Sequence, residues 1–217
     1  MVKGVIFDMD GLMFDTERLW DTFWAPCCRK LGLPQPGPEF MASGRGLAGE
    51  NLLRHLAEFY PQIDPKVMLK EVYDIAAERF THPVPCKPGL HELLEWLKKH
   101  HIPCIVASSS PRHMIENNLK NDHVDGYFQG IVCGDDVEHS KPDPDIFLKA
   151  AAQLGLPAKD CLVLEDSFNG VRAGHAAGAV TVMVPDLAQP DEEIKQLYTC
   201  CCHDLLEVRQ LLEEGKL

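Results

Sequence analysis

Two carboxylates separated by a single residue, Asp8 and Asp10, follow the apolar run Val2, Val5, Ile6 and Phe7 and precede Gly11. In an extended chain residues two apart point to one side, so both side chains project beyond the carboxyl end of a short buried strand. Like charges this close repel, which makes them poor structural glue but good partners for a divalent cation or for acid–base work. The carboxyl ends of strands in an open α/β sheet are also where ligands bind. The bland alternative is a strand followed by an acidic turn.

Three further groups could do chemistry with them. Ser108, Ser109 and Ser110 follow the apolar segment Ile102 to Ala107, Lys141 stands in the string Ser140-Lys-Pro-Asp-Pro-Asp145, and Glu165 and Asp166 end the apolar segment Cys161 to Leu164. Hydroxyls and free backbone N–H groups at a strand-to-helix turn cradle an oxyanion. Capping of the next helix by Ser109 or Ser110 is the plain reading, and both readings can hold. Every one of these groups lies just after an apolar strand or in a strand-to-helix loop. A parallel sheet with right-handed crossovers brings such strand ends to one edge, so Asp8, Asp10, Ser108, Lys141, Glu165 and Asp166 should converge. Four carboxylates in one place require a cation, and Asp8, Asp166 and a backbone carbonyl form a hard-ligand set suited to Mg²⁺.

Taken in order, Asp8-Met-Asp-Gly11, Ala107-Ser-Ser109, Ser140 to Asp145 and Leu164-Glu-Asp-Ser167 resemble the motifs of the haloacid dehalogenase-like phosphohydrolases. Within that family the chain looks most like the β-phosphoglucomutase-like and pseudouridine 5′-phosphatase-like members. The resemblance implies a Rossmann-like three-layer α/β core with a parallel sheet and an inserted all-helical cap. It implies Asp8 as nucleophile and Asp10 as general acid and base, with the Asp10 carbonyl completing the Mg²⁺ ligands. Ser108 and Lys141 would act on the transferred phosphoryl group, and Glu165 would lie behind the metal or reach it through water. The implied activity is Mg²⁺-dependent hydrolysis of a small phosphomonoester, a sugar phosphate or nucleoside monophosphate, through an aspartyl-phosphate. Ser109, Trp20 and Arg45 are the candidates on the substrate side.

Two other readings compete. In the mutases a histidine stands where this chain has Trp20, and the ungapped match for their phosphate-gripping cap arginine is Gly49, with Arg45 four residues earlier. An indole has no nitrogen that titrates near neutrality, which favours a hydrolase over a mutase. A receiver-type module also gathers carboxylates, a hydroxyl and a lysine around a phosphorylatable Asp, but it needs no lid and no second Asp two residues on.

The elements that must position these groups follow from periodicity. Residues 16–82 read as a helical insertion, the cap, and residues 1–15 with 83–217 as the catalytic core. In the insertion, Asp15 or Thr16 should cap a helix that ends at Gly32 and kinks or breaks near Pro26. Loops are expected at Pro34 to Pro38 and Ser43 to Gly46, then helices at Leu47 to Tyr60 and at Asp64 to Phe80, with Asp64 as cap and Pro65 in the first turn. In the core, Leu90, Leu93, Leu94 and Leu97 mark a helix, and Asp143 should cap another over 144–154. Strands are expected at 102–107, 128–133, 161–164 and 180–184, and helices at 112–119, 169–178 and 205–212.

Composition bounds the partners. The chain has 217 residues, 45% apolar and 25% charged, with a net charge of −12, which disfavours a nucleic-acid backbone or an anionic membrane. A small phosphorylated metabolite remains compatible, because lysine and a metal reverse the sign inside a pocket. No stretch approaches the roughly 18 consecutive apolar residues of a membrane span, and the chain enters a strand at once, so a cytoplasmic monomer is expected. Nine cysteines, with Cys104, Cys133 and Cys161 in or beside core strands, read as reduced thiols. Cys200-Cys-Cys202 before His203 reads as a strand entering a helix cap, in preference to a metal site.

Overall fold

The computed structural model describes residues 2–44, 47 and 49–217. Among them, six strands form one parallel sheet: β1 (Gly4–Phe7), β2 (Cys104–Ser108), β3 (Phe128–Cys133), β4 (Cys161–Glu165), β5 (Val180–Met183) and β6 (Cys200–Cys201). Their order, β3-β2-β1-β4-β5-β6, places the first strand at the centre and reverses direction there. This is the point at which doubly wound sheets open a crevice at their carboxyl edge. β1, β2 and β4 are buried along their whole length, as strands covered on both faces must be.

Side chains alternate between the two layers flanking the sheet. Val5, Phe7, Val106, Leu162 and Leu164 face one apolar cluster with Leu90, Leu93 and Leu97 of α5 (Leu90–Lys99), Met114 and Ile115 of α6 (Arg112–Asn121), and Leu205 and Val208 of α9 (Leu205–Glu213). Ile6, Ile105, Ala107 and Val163 face the other, against Phe147 and Ala150 of α7 (Asp145–Gln153) and Ala173 of α8 (Phe168–Ala176). The result is the Rossmann-like three-layer core that the resemblance implies.

Between β1 and α5 stand four helices, α1 (Glu17–Lys30), α2 (Pro38–Gly44), α3 (Gly49–Phe59) and α4 (Pro65–Arg79), and no strand is assigned among the described residues there. They pack on each other, α1 and α3 on α4 and α2 on α3, around Phe23, Phe40, Leu56, Met68 and Phe80. The linkers entering and leaving this block pair with one another, since Phe14 bridges Asp10 on one side and Cys86 on the other.

Several local expectations need correction. Thr16 does not cap α1 through its side chain; its hydroxyl instead accepts the Gly11 N–H at 3.2 Å and closes the acidic turn. α1 continues through Pro26 as one assigned helix, because the neighbouring Phe23, Cys27 and Cys28 are buried against the block's core and hold the turn in place. α2 occupies a stretch read as loop: Pro38 begins it, as proline suits a first helical position, and Phe40 anchors it. Neither Ser109 nor Ser110 caps α6, whose N-cap is Pro111, and Asp143 does not cap α7, which starts after Pro144. Asp64 does cap α4, accepting the Lys66 N–H, and Asp204 caps α9 after the Cys200–Cys201 strand.

Candidate active site

Register sets the floor of the site. Phe7 pairs with Val106 on one side and Leu164 on the other, so Asp8, Ala107 and Glu165 stand level at the carboxyl edge. The Asp8 N–H donates to the Leu164 carbonyl at 3.0 Å, extending the ladder by one rung and aiming the Asp8 side chain out of the sheet. Lys141, from the loop before α7, reaches back over the ring of Phe147 and donates to Asp8 Oδ1 at 2.5 Å and Glu165 Oε1 at 2.7 Å. All three are buried.

Glu165 is held from behind as well. Its Oε2 accepts from the Ser167 N–H at 2.8 Å and the Ser167 hydroxyl at 3.0 Å, while the same hydroxyl accepts the Gly170 N–H and caps α8. A Cβ at position 170 would fall inside the Glu165 carboxylate, so only glycine admits this approach of helix to carboxylate.

Asp10 is set differently. Its Oδ2 accepts from the hydroxyls of Ser108 at 3.0 Å and Ser110 at 2.8 Å, and the Ser110 N–H donates to Ser108 Oγ. Its Oδ1 is buried with no hydrogen-bond partner among the described residues.

Charge in this pocket is unbalanced. Burial pushes the Asp8 carboxyl well above its ordinary range, with Glu165 and Asp10 adding to the effect and Lys141 opposing it. Burial alone would lower the Lys141 ammonium, yet Asp8 and Glu165 together raise it above the ordinary lysine value and keep it charged. One lysine among Asp8, Asp10, Glu165 and Asp166 leaves an excess of negative charge. The ligating atoms of Asp8, Glu165 and Asp166 lie within 4.8 Å of one another and form an all-oxygen set. The residues present therefore fit a hard divalent cation.

Above this floor lies a cavity of about 130 Å³, lined below by Asp8, Asp10, Ser109, Ser110, Lys141 and Asp166. Its roof comes from the helical block: Trp20 and Trp24 of α1, Phe40 of α2, Leu52 and His55 of α3, and Tyr73 of α4. Trp20 packs edge-on against Phe23 and Tyr73, and His55 stacks on Phe40 at 4.9 Å with its Nε2 at the Phe40 carbonyl. The roof is thus mainly aromatic and aliphatic while the floor is charged.

Of the residues singled out from the sequence, Asp8, Asp10, Lys141, Glu165 and Asp166 converge, and Ser109 and Trp20 line the cavity. Ser108 is fully buried and spends its hydroxyl on Asp10. Arg45 lies outside the described residues. Sequence reasoning missed Ser110 as a partner of Asp10, Ser167 and Gly170 as supports of Glu165, and His55 and Tyr73 in the roof. The Asn-Gly pair after Ser167 was the only local signal for Gly170; His55 and Tyr73 carry none, since their helical spacing marks packing alone.

Comparison with known proteins identifies the family. A family model described as haloacid dehalogenase-like hydrolase matches residues 5–184. A probable pseudouridine-5′-phosphatase from Drosophila melanogaster is 36% identical, over 85% of this chain and 82% of its own length. Hexitol phosphatase B of Escherichia coli strain K12 is 30% identical, over 85% of this chain and 84% of its own. A solved structure described as a putative beta-phosphoglucomutase from Thermotoga maritima superposes with a TM-score of 0.76 at 26% identity, covering 98% of this chain and 99% of that one. The chain belongs to the haloacid dehalogenase-like hydrolases, in the β-phosphoglucomutase-like and pseudouridine 5′-phosphatase-like group, and is a phosphatase enzyme.

Proposed function

We propose that the chain is a Mg²⁺-dependent phosphatase that hydrolyses a small phosphomonoester, a sugar phosphate or nucleoside monophosphate, through an aspartyl-phosphate on Asp8. The observation that carries this reading is the convergence of Asp8, Asp10, Lys141, Glu165 and Asp166 on the floor of a cavity roofed by the helices between residues 17 and 79. In this reading residues 1–15 and 83–217 are the catalytic core and 16–82 the cap. Asp8, Asp166 and the backbone carbonyl of Asp10 would hold the cation, with Glu165 behind them. When bound, it supplies positive charge against the crowded carboxylates and the phosphate.

The chain's own residues do the rest. A carboxylate oxygen of Asp8 attacks phosphorus in line, forming the O–P bond as the ester O–P bond breaks. Lys141 keeps that oxygen placed and offsets charge on the phosphoryl oxygens, while Ser109 stands at the strand exit as a further donor. Asp10, oriented by Ser108 and Ser110, gives its proton to the departing alkoxide. In the second step water attacks the same phosphorus, its proton passes to Asp10, and the bond to Asp8 breaks. The aromatic roof selects the leaving group by packing more than by hydrogen bonds.

The geometry near Gly49 favours hydrolysis over isomerisation. This residue has φ of 53°, a region side chains seldom adopt, and an added Cβ would meet Ser140 Oγ at 3.3 Å. The position matching a mutase's phosphate-gripping arginine is therefore one where the backbone disfavours any side chain. The cysteines are free thiols, which supports a reducing, cytoplasmic setting. No helix among the described residues is long and apolar enough to cross a membrane.

A screen of sugar phosphates and nucleoside monophosphates with Mg²⁺ tests the proposal. Stoichiometric inorganic phosphate, abolished by EDTA and restored by Mg²⁺, is expected. Conversion of β-glucose 1-phosphate to glucose 6-phosphate without phosphate release, followed by NMR, would overturn it.

A further inference from the structure

A second group with metal-ligand chemistry lies away from the catalytic carboxylates. Cys86 sits in the linker leading from α4 to α5, His91 in the first turn of α5, and Asp122 at the C-terminal end of α6. One ligating atom from each lies within 4.8 Å of the other two. His91 Nε2 and Asp122 Oδ2 are 3.0 Å apart, yet Oδ2 is buried and makes no hydrogen bond among the described residues. The two atoms stand as a His–Asp pair at a separation close to the roughly 3.3 Å between two ligands on one tetrahedral zinc with bonds near 2.0 Å.

We propose that Cys86, His91 and Asp122 form a transition-metal site that takes Zn²⁺ or a cation of similar softness. A sulfur, an imidazole nitrogen and a carboxylate oxygen make a borderline-soft set, unlike the all-oxygen set at Asp8. Mg²⁺, which demands oxygen ligands and octahedral geometry, has no place in it. Three protein ligands leave a fourth position for water, and the thiol proton passes to solvent as the sulfur–metal bond forms. Cys86 is also paired through the backbone with Phe14 of the other linker. A cation here would tie both connections between the helical block and the core to α5 and α6. That consequence rests on the cap reading above, whereas the binding site itself does not.

Co²⁺ is the probe, because a cobalt–thiolate bond gives a near-ultraviolet charge-transfer band that oxygen ligands cannot give. Titration of the metal-free full chain with Co²⁺ in saturating Mg²⁺ should produce this band with an endpoint of one ion per chain. The band should vanish in Cys86→Ser. It should need on the order of tenfold more Co²⁺ in His91→Ala and in Asp122→Asn, and should be unchanged in Asp8→Asn. Cys86→Ser should turn over with Mg²⁺ alone at the wild-type rate, which also checks its folding. No band at one equivalent of Co²⁺, or a band of wild-type strength in Cys86→Ser, would overturn the proposal; the latter would assign the thiolate to another cysteine such as Cys200 or Cys202.

Discussion

The ammonium of Lys141 lies 2.5 Å from Asp8 Oδ1 and 2.7 Å from Glu165 Oε1, so one buried cation joins the ends of two adjacent strands. Removing it leaves two buried carboxylates without their cation, and breaking such a pair from one side costs about 3–5 kcal/mol. Lys141→Met should therefore lower the urea midpoint substantially at pH 8 in metal-free buffer. The folded lysine titrates above its ordinary 10.5, so its stabilising share is full below that value and is lost only as pH climbs through the raised one. In the wild type the lysine itself stays charged from about pH 5 to 9. In the variant the Asp8 carboxyl, already raised by burial, loses the lysine that opposes the shift, so acid protonates it and the gap to wild type should narrow toward pH 5. A variant within about 0.5 kcal/mol of wild type at pH 8 would show that the pair does not matter to stability.

Two hydroxyls end on one oxygen of Asp10, from Ser108 and Ser110. Loss of either leaves the other to orient the carboxyl, so Ser108→Ala and Ser110→Ala should each reduce kcat by about tenfold or less. The double variant should lose more than the product of the two single losses, moving toward the roughly 10²–10⁴-fold loss expected when a general acid is removed. Mg²⁺ affinity should hardly change in any of the three. Single and double variants that lose rate additively would remove the shared-orientation role.

Much of this site is legible in the sequence. Asp8 and Asp10 stand two apart after an apolar strand, and Lys141, Glu165 and Asp166 each follow a strand or precede a helix, so parallel topology alone gathers them. The division of labour among the serines is not legible, because which of three adjacent hydroxyls turns toward Asp10 depends on the backbone path from β2 to α6. The unbroken run of α1 through Pro26 is equally hidden, since Phe23 packs on Phe80 while Cys27 and Cys28 meet Met68 and Tyr60. Gly170 matters through Glu165, a contact that sequence spacing does not encode. Short α2, with prolines before it, carries loop composition and helical structure at once.

Asp166 and Lys141 should separate when metal and phosphate are measured apart. Asp166 belongs to the oxygen cluster with Asp8 and Glu165, whereas Lys141 is itself a cation. Asp166→Ala should weaken Mg²⁺ binding on the order of 10-fold or more, read by titration calorimetry, while Lys141→Ala should weaken inhibition by inorganic phosphate with a much smaller effect on Mg²⁺. Equal Mg²⁺ affinities in the two variants would take Asp166 out of the ligand set.

The central claim is that phosphorus is bonded to Asp8 during turnover. An aryl phosphate suits the test, because its leaving group needs no proton and the first step outruns the second. Acid-quenched enzyme reduced with borohydride converts an acyl phosphate to homoserine, which peptide mass spectrometry locates. The account predicts homoserine at position 8 alone, a burst approaching one phenolate per chain, and a loss of at least about 10³-fold in Asp8→Asn. Homoserine at position 10, or Asp8→Asn retaining more than about a tenth of the wild-type rate with the same substrate, would contradict it.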